Sequence, residues 1–124
     1  LSQLIFNNCS QEQKMSYYLF KASYTAAAMK TMVEQPQDRS KMISSACEAF
    51  GGKLHQMFMA FGDDDVIVIC ELPDDVSAAA ISAQIAAGGA CSNVSTTQLL
   101  SMSDWVRACE KARDVSSGYT APKA

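Results

Sequence analysis

The sequence predicts an α+β domain, and three observations predict it. Stretches of strand character and of helical periodicity follow one another in the order β-α-β-β-α-β-α. Glycine, proline and capping residues stand at the junctions between them. At 124 residues, 48% apolar and 19% charged, the chain has the size of one domain and enough apolar side chains to bury a core.

The elements follow in order. Residues 1–14 hold one short apolar patch, Leu4-Ile5-Phe6, and then turn polar; they are expected to be an extension ahead of the domain, with Met15 as its start. Tyr17 to Tyr24 (YYLFKASY) is aromatic and apolar, as a buried strand is. Thr25 is placed to cap a helix bearing Ala26, Met29, Met32 and Val33 at helical spacing. Pro36 interrupts it, and Asp38 offers a new N-cap before the stripe Met42, Ile43, Ala46, Cys47 and Phe50, so one long or kinked helical region is expected. Gly51-Gly52 stops that helix. Lys53 to Phe61 reads as a second strand and Gly62-Asp63-Asp64 as a turn. Asp65 to Leu72 (DVIVICEL) is apolar at both alternating sets of positions, as a central strand covered on both sides is. Asp74 and Asp75 are placed to cap an alanine-rich helix over 76–87, closed by Gly88-Gly89. Asn93 to Ser101 reads as a fourth strand. Ser103 is expected to cap a last helix with Trp105, Val106, Cys109 and Ala112 turned inward, and residues 114–124 to form a frayed tail after a domain over 15–113.

This order is a split βαβ pair, the ferredoxin-like βαββαβ layout with one extra C-terminal helix, in which the first and third strands lie side by side in the middle. Right-handed crossovers put both crossover helices on one face of the sheet. The other face then lies bare, although Leu19, Ile67 and Ile69 belong to it. A patch of that kind calls for cover, and a second copy pairing face to face is the simplest answer.

Charge excludes some functions. Ten Lys and Arg against 13 Asp and Glu leave a net charge of −3, and residues 54–106 hold seven acids and no Lys or Arg, so no nucleic-acid partner is expected. No apolar run reaches the ~18 residues that span a bilayer, so no membrane partner is expected. The five cysteines are widely spaced, without CxxC, and His55 is the only histidine; no zinc site and no other metal or cofactor is expected. Cys47, Cys70 and Cys109 read as small buried hydrophobes in a reducing compartment, and with no basic-then-apolar leader the cytoplasm is the expectation.

The chain resembles the GYD family, named for a Gly-Tyr-Asp motif, through YYLFKASYT, through DRSKMISSACEAFGGKLHQMFMAFGDDDVIVICELPDD, and through the alanine-rich helix followed by SNVSTTQLLSMSDW. The specific pieces are Gly51-Gly52-Lys53, Gly62 with Asp65, and Glu71-x-Pro73-Asp74-Asp75. Where the family usually has tyrosine before the aspartate, this chain has Asp64, so no role of that tyrosine transfers. The resemblance implies a ferredoxin-fold homodimer of the dimeric α/β-barrel type. It implies no established activity, only a site inside the barrel or between helices and sheet.

Five residues are candidates for binding a ligand. Lys21 and Glu71 share the bare face and, on neighbouring strands running parallel, would pair there; the alternatives are a general base or substrate clamp and an ion pair that holds register. His55 is the one side chain that titrates near neutrality, although no Ser, Cys or carboxylate beside it in sequence suggests a dyad. Arg39 matches an arginine of the family; it could grip an anion with its fork or pair with Asp38 or Glu34 on the surface. Met57 stands for the methionines, which read as core and interface filler lining an apolar pocket. Asp63-Asp64-Asp65 is too short a run for calcium, and Asp65 is expected to close the hairpin through turn amides. The readings left standing are a small-molecule-binding homodimer, a cofactor-independent enzyme of monooxygenase or isomerase kind using His55 or Glu71 as base, and a purely structural assembly unit.

Overall fold

The computed structural model describes residues 15–123; the expected extension, its apolar patch and Cys9 lie outside the described residues. The described chain forms β1 (Ser16–Tyr24), α1 (Ala26–Glu34), α2 (Ser40–Ala49), β2 (Lys53–Met59), β3 (Val66–Leu72), α3 (Asp75–Ala87), β4 (Cys91–Leu99) and α4 (Met102–Asp114). The four strands make one antiparallel sheet in the order β2-β3-β1-β4, with the ferredoxin-like connectivity. No helix among the described residues is long and apolar enough to cross a membrane.

Alternation along the central strands divides the sheet cleanly. Tyr18, Phe20 and Ala22 of β1 and Val66, Val68, Cys70 and Leu72 of β3 are buried on one side, under Cys47 of α2 and Ala78 and Ile81 of α3. Tyr18 buries its ring but keeps its hydroxyl satisfied by donating to Asp75 Oδ1 at 2.6 Å. The alternate residues, Leu19 and Lys21 of β1 and Ile67, Ile69 and Glu71 of β3, face the other side and are only half-buried.

The caps show how local chemistry sets the boundaries. Thr25 accepts from the Ala28 N–H and Asp74 from the Ser77 N–H, as their sequence positions predict. The single helical region expected across Pro36 is in fact two helices, because residues 35–39 break the hydrogen-bond ladder. Asp38 is not the N-cap of the second: Arg39 occupies that position without a side-chain cap, and Asp38 instead accepts from the Ser40 N–H at 2.9 Å. Ser101, not Ser103, caps α4, accepting from Asp104 N–H. Asp65 does not bind turn amides; its Oδ2 accepts the Tyr24 N–H at 2.8 Å and so ties the β2–β3 turn to the end of β1.

Gly51 and Gly52 end α2 in a Schellman motif. Gly52 N–H donates to Cys47 O, Gly51 N–H donates to Glu48 O, and Gly51 has φ +83°. By contrast Gly62 has neither a positive φ nor an atom within 4 Å of where a side chain would begin, so the turn does not require glycine there.

The apolar stripes of α1 and α4 are not buried. Neither helix contains a buried residue, and Val33, Trp105 and Val106 are more than half exposed, so the expected inward face of α4 turns outward. Cys109 is exposed too, unlike Cys47 and Cys70. Of the methionines read as core and interface filler, Met57 packs against the core, whereas Met29, Met42 and Met59 are exposed and Met32 is half-buried. Amphipathic periodicity states that a face wants cover, not that its own chain supplies it.

Candidate functional site

Three polar side chains of the open sheet face, Tyr17, His55 and Glu71, gather at one end of it. In the antiparallel register Glu71 lies opposite Tyr17 on one flank and opposite Lys53 on the other. His55 occupies the irregularity between Leu54 and Gln56, where β2 carries one residue more than β3. A bulge of this kind re-aims the side chain it carries and is common beside functional sites. Here it brings His55 Nε2 to 2.5 Å from Glu71 Oε1, with the two side chains 30% and 22% exposed, and sets the His55 ring 5.3 Å from that of Tyr17.

An ionised carboxylate only accepts hydrogen bonds, so the His55 Nε2 carries the shared proton. The Tyr17 phenol is held above its ordinary value, first by hydrogen bonding to Glu71 and then by the charge of that carboxylate. It therefore keeps its proton at neutral pH, directed at Glu71. The cluster is thus a histidine–carboxylate pair with a phenol beside it, next to Leu19, Ile67 and Ile69 of the open face.

Beside Tyr17 a cleft of about 570 Å³ opens between the ends of β1 and β4 and the helix α4, with Leu99, Leu100, Arg107 and Lys111 in its walls. Arg107 already donates to Asp104 Oδ1 at 2.8 Å. The cleft gives a small molecule room next to the cluster and basic groups at its far wall.

The antiparallel register separates Lys21 from Glu71. Lys21 lies opposite Ile67, four residues along β1 from Tyr17, which is about 13 Å of strand. The pairing expected of parallel neighbours does not form, because β1 and β3 run in opposite directions. The bulge also inverts alternation after His55, so Met57 faces the helices rather than the open side, opposite Val68. Arg39 lies with Met57 on that helix side and donates to Gln37 Oε1 at 3.4 Å, not to Asp38 or Glu34. The five candidate residues therefore belong to two places: His55 and Glu71 together on the open face, with Lys21 apart from them, and Arg39 and Met57 behind the sheet.

Sequence reasoning overlooked Tyr17 and the joining of His55 to Glu71. The available signal was the hairpin itself, since a turn over residues 60–65 returns residue 71 to the neighbourhood of 53–55. Its one-residue irregularity could not be read in advance. Asp64 sits in that turn, at the opposite end of the hairpin from His55. Among the described residues no three His, Cys, Asp or Glu side chains converge in a group that could hold a metal ion.

No curated protein and no solved structure matches the chain significantly. The model of the GYD domain matches residues 18–109, which span every strand and reach into α4. By that match over most of its length, the chain belongs to the GYD domain family.

Proposed function

We propose that this protein is a homodimer that binds a small organic molecule at the open sheet face, with His55, Glu71 and Tyr17 as its polar grip. The observation that carries the reading is the 2.5 Å contact of His55 Nε2 with Glu71 Oε1, which fixes the imidazole beside the Tyr17 ring. Such a pair suits a ligand bearing an acidic O–H or C–H group. Leu19, Ile67 and Ile69 would contact the apolar body, and a second copy laid over the same face would exclude water. Cys47 and Cys70, neighbouring thiols left unbridged in the core, support a reducing compartment such as the cytoplasm.

The same contact favours a second reading, a cofactor-independent enzyme. A histidine oriented by a carboxylate is the arrangement that general-base proton abstraction uses. A thermal-shift screen of small aromatic and anionic metabolites, followed by NMR of the His55 ring, tests both. A ligand that raises the melting temperature, shifts the His55 resonances and loses its effect in Glu71→Gln supports the site. Exchange of a ligand C–H proton with solvent, abolished in His55→Gln, selects the enzyme. No response across the library leaves a purely structural assembly unit and overturns the proposal.

A further inference from the structure

On the opposite side of the sheet from His55 lies a groove that the reading above does not use. It measures about 320 Å³ and runs between α1, the 35–39 link and the end of β2. It exists because α1 does not settle into the core: Met29 and Met32 of its stripe remain at least partly open and face Met57 of β2 across the gap. Tyr24 and Met57 also wall a small apolar void of about 40 Å³ among the core residues Phe20, Val66 and Val68, so a small displacement of the flexible Met57 would deepen the groove.

Arg39 and Tyr24 meet on this trough, whose wall also carries Gln37, Ser40 and the Asp38 carboxylate. Arg39 lines it and, among the described residues, has only the Gln37 amide oxygen as partner, at 3.4 Å. The neighbouring carboxylate of Asp38 does not neutralise it. That group is held below its ordinary value first by Ser40, whose N–H it accepts, and forms no ion pair with the guanidinium. Arg39 also stands at the N-cap of α2, the positive end of the helix, where a cation is electrostatically disfavoured and an anion favoured. Tyr24 supplies the second group. Its hydroxyl makes no hydrogen bond among the described residues, and it lines both the groove and the adjoining 260 Å³ recess that Arg39 shares. Burial first, and then the neighbouring Cys91 and Asp65, hold the phenol above its ordinary value, against the opposing pull of the Arg39 charge.

A guanidinium fork and a phenol donor at the end of a methionine-lined trough are complementary to a carboxylate on an apolar tail. We propose that this groove is a second binding site, independent of the open face, for a small amphipathic monocarboxylate, with Arg39 and Tyr24 holding the carboxylate and Met29, Met32 and Met57 the tail.

Octanoate and octanol are the probes, read by NMR of methyl-labelled methionines in the full chain. Octanoate is expected to shift the Met29, Met32 and Met57 methyls and to leave Met15, Met102 and the His55 ring unmoved. Octanol should bind about tenfold more weakly or worse, for want of the charge-assisted hydrogen bonds. Arg39→Ala should weaken octanoate to the level of octanol while preserving the circular dichroism spectrum and melting temperature of the free protein, since Arg39 is exposed; Tyr24→Phe should weaken it less. His55→Gln should bind octanoate unchanged, which separates this site from the one on the open face. Equal affinity for octanoate and octanol, an unaffected Arg39→Ala, or shifts confined to other methionines would each overturn the assignment. So would groove methyls that respond to protein concentration instead of octanoate, since a second copy would then occupy the trough.

Discussion

The titration of single residues reports on their surroundings. Tyr18 is 2% exposed, and its phenol is pushed up to about 12, first by burial and then by the hydrogen bond it donates to Asp75. In the unfolded chain the same group titrates near 10. The folded state therefore holds this proton more tightly, and the resulting stability is complete below pH 10 and lost as pH rises from about 10 to about 12. Denaturant titrations across that window should show unfolding free energy falling with pH, and Tyr18→Phe should flatten the fall without abolishing it, because Tyr17 and Tyr24 are shifted in the same direction. At neutral pH Tyr18→Phe should cost about 1 kcal/mol, since the Asp75 carboxylate it abandons is open to water. The candidate site was only partly legible at this scale. His55 and Glu71 stand out in the sequence as chemistry-bearing residues, but their contact depends on a backbone irregularity sixteen residues from Glu71 along the chain.

Whole elements were read more reliably than the residues within them. Each strand and helix begins and ends within a few residues of a glycine, proline or capping signal, because those signals are short-range, although Pro36 separates two helices and the caps expected at Asp38 and Ser103 fall elsewhere. The junction of α2 and β2 shows the strongest local requirement. A side chain at Gly52 would begin 2.0 Å from the backbone oxygen of Glu71, so the glycine lets β2 enter the sheet beside the carboxylate of the candidate site. Gly52→Ala should cost about 1–3 kcal/mol in chemical denaturation and disturb the His55 ring resonances, as backbone must shift to admit it. Gly62→Ala, with open space around it, should stay within about 0.5 kcal/mol of the wild type. The helix stripes misled for a physical reason. Met29, Trp105 and Val106 have the spacing of a packed face, yet hydrophobic periodicity is a local property and the partner for such a face is not.

At the scale of the whole molecule, the proposed homodimer rests on the distribution of apolar surface. The helices shelter one side of the sheet, while Leu19, Ile67 and Ile69 on the other are half-buried and lie on the two central strands. A charge in the middle of that face should leave the monomer folded but oppose pairing, because it would have to be desolvated between copies. Ile69→Lys should raise the dimer dissociation constant more than about tenfold in sedimentation experiments over a range of concentrations, with an unchanged circular dichroism spectrum. A wild-type chain that sediments as a well-folded single copy at micromolar concentration would contradict the homodimer.

What the sequence determined by itself was the order and kind of the elements, the central place of β1 and β3, and the two-sided apolar character of the sheet. These follow from alternation, helical spacing and end signals, all short-range. The tertiary structure alone decided the direction in which the central strands run past each other, the bulge at His55, and the side of the sheet on which Met57 falls. Those depend on register between segments distant in sequence, where a slip of one residue exchanges the two faces of a strand. For that reason the candidate residues, gathered from the sequence as a single set, separate in space: His55 and Glu71 meet on the open face, Lys21 lies apart from them along β1, and Arg39 and Met57 fall behind the sheet.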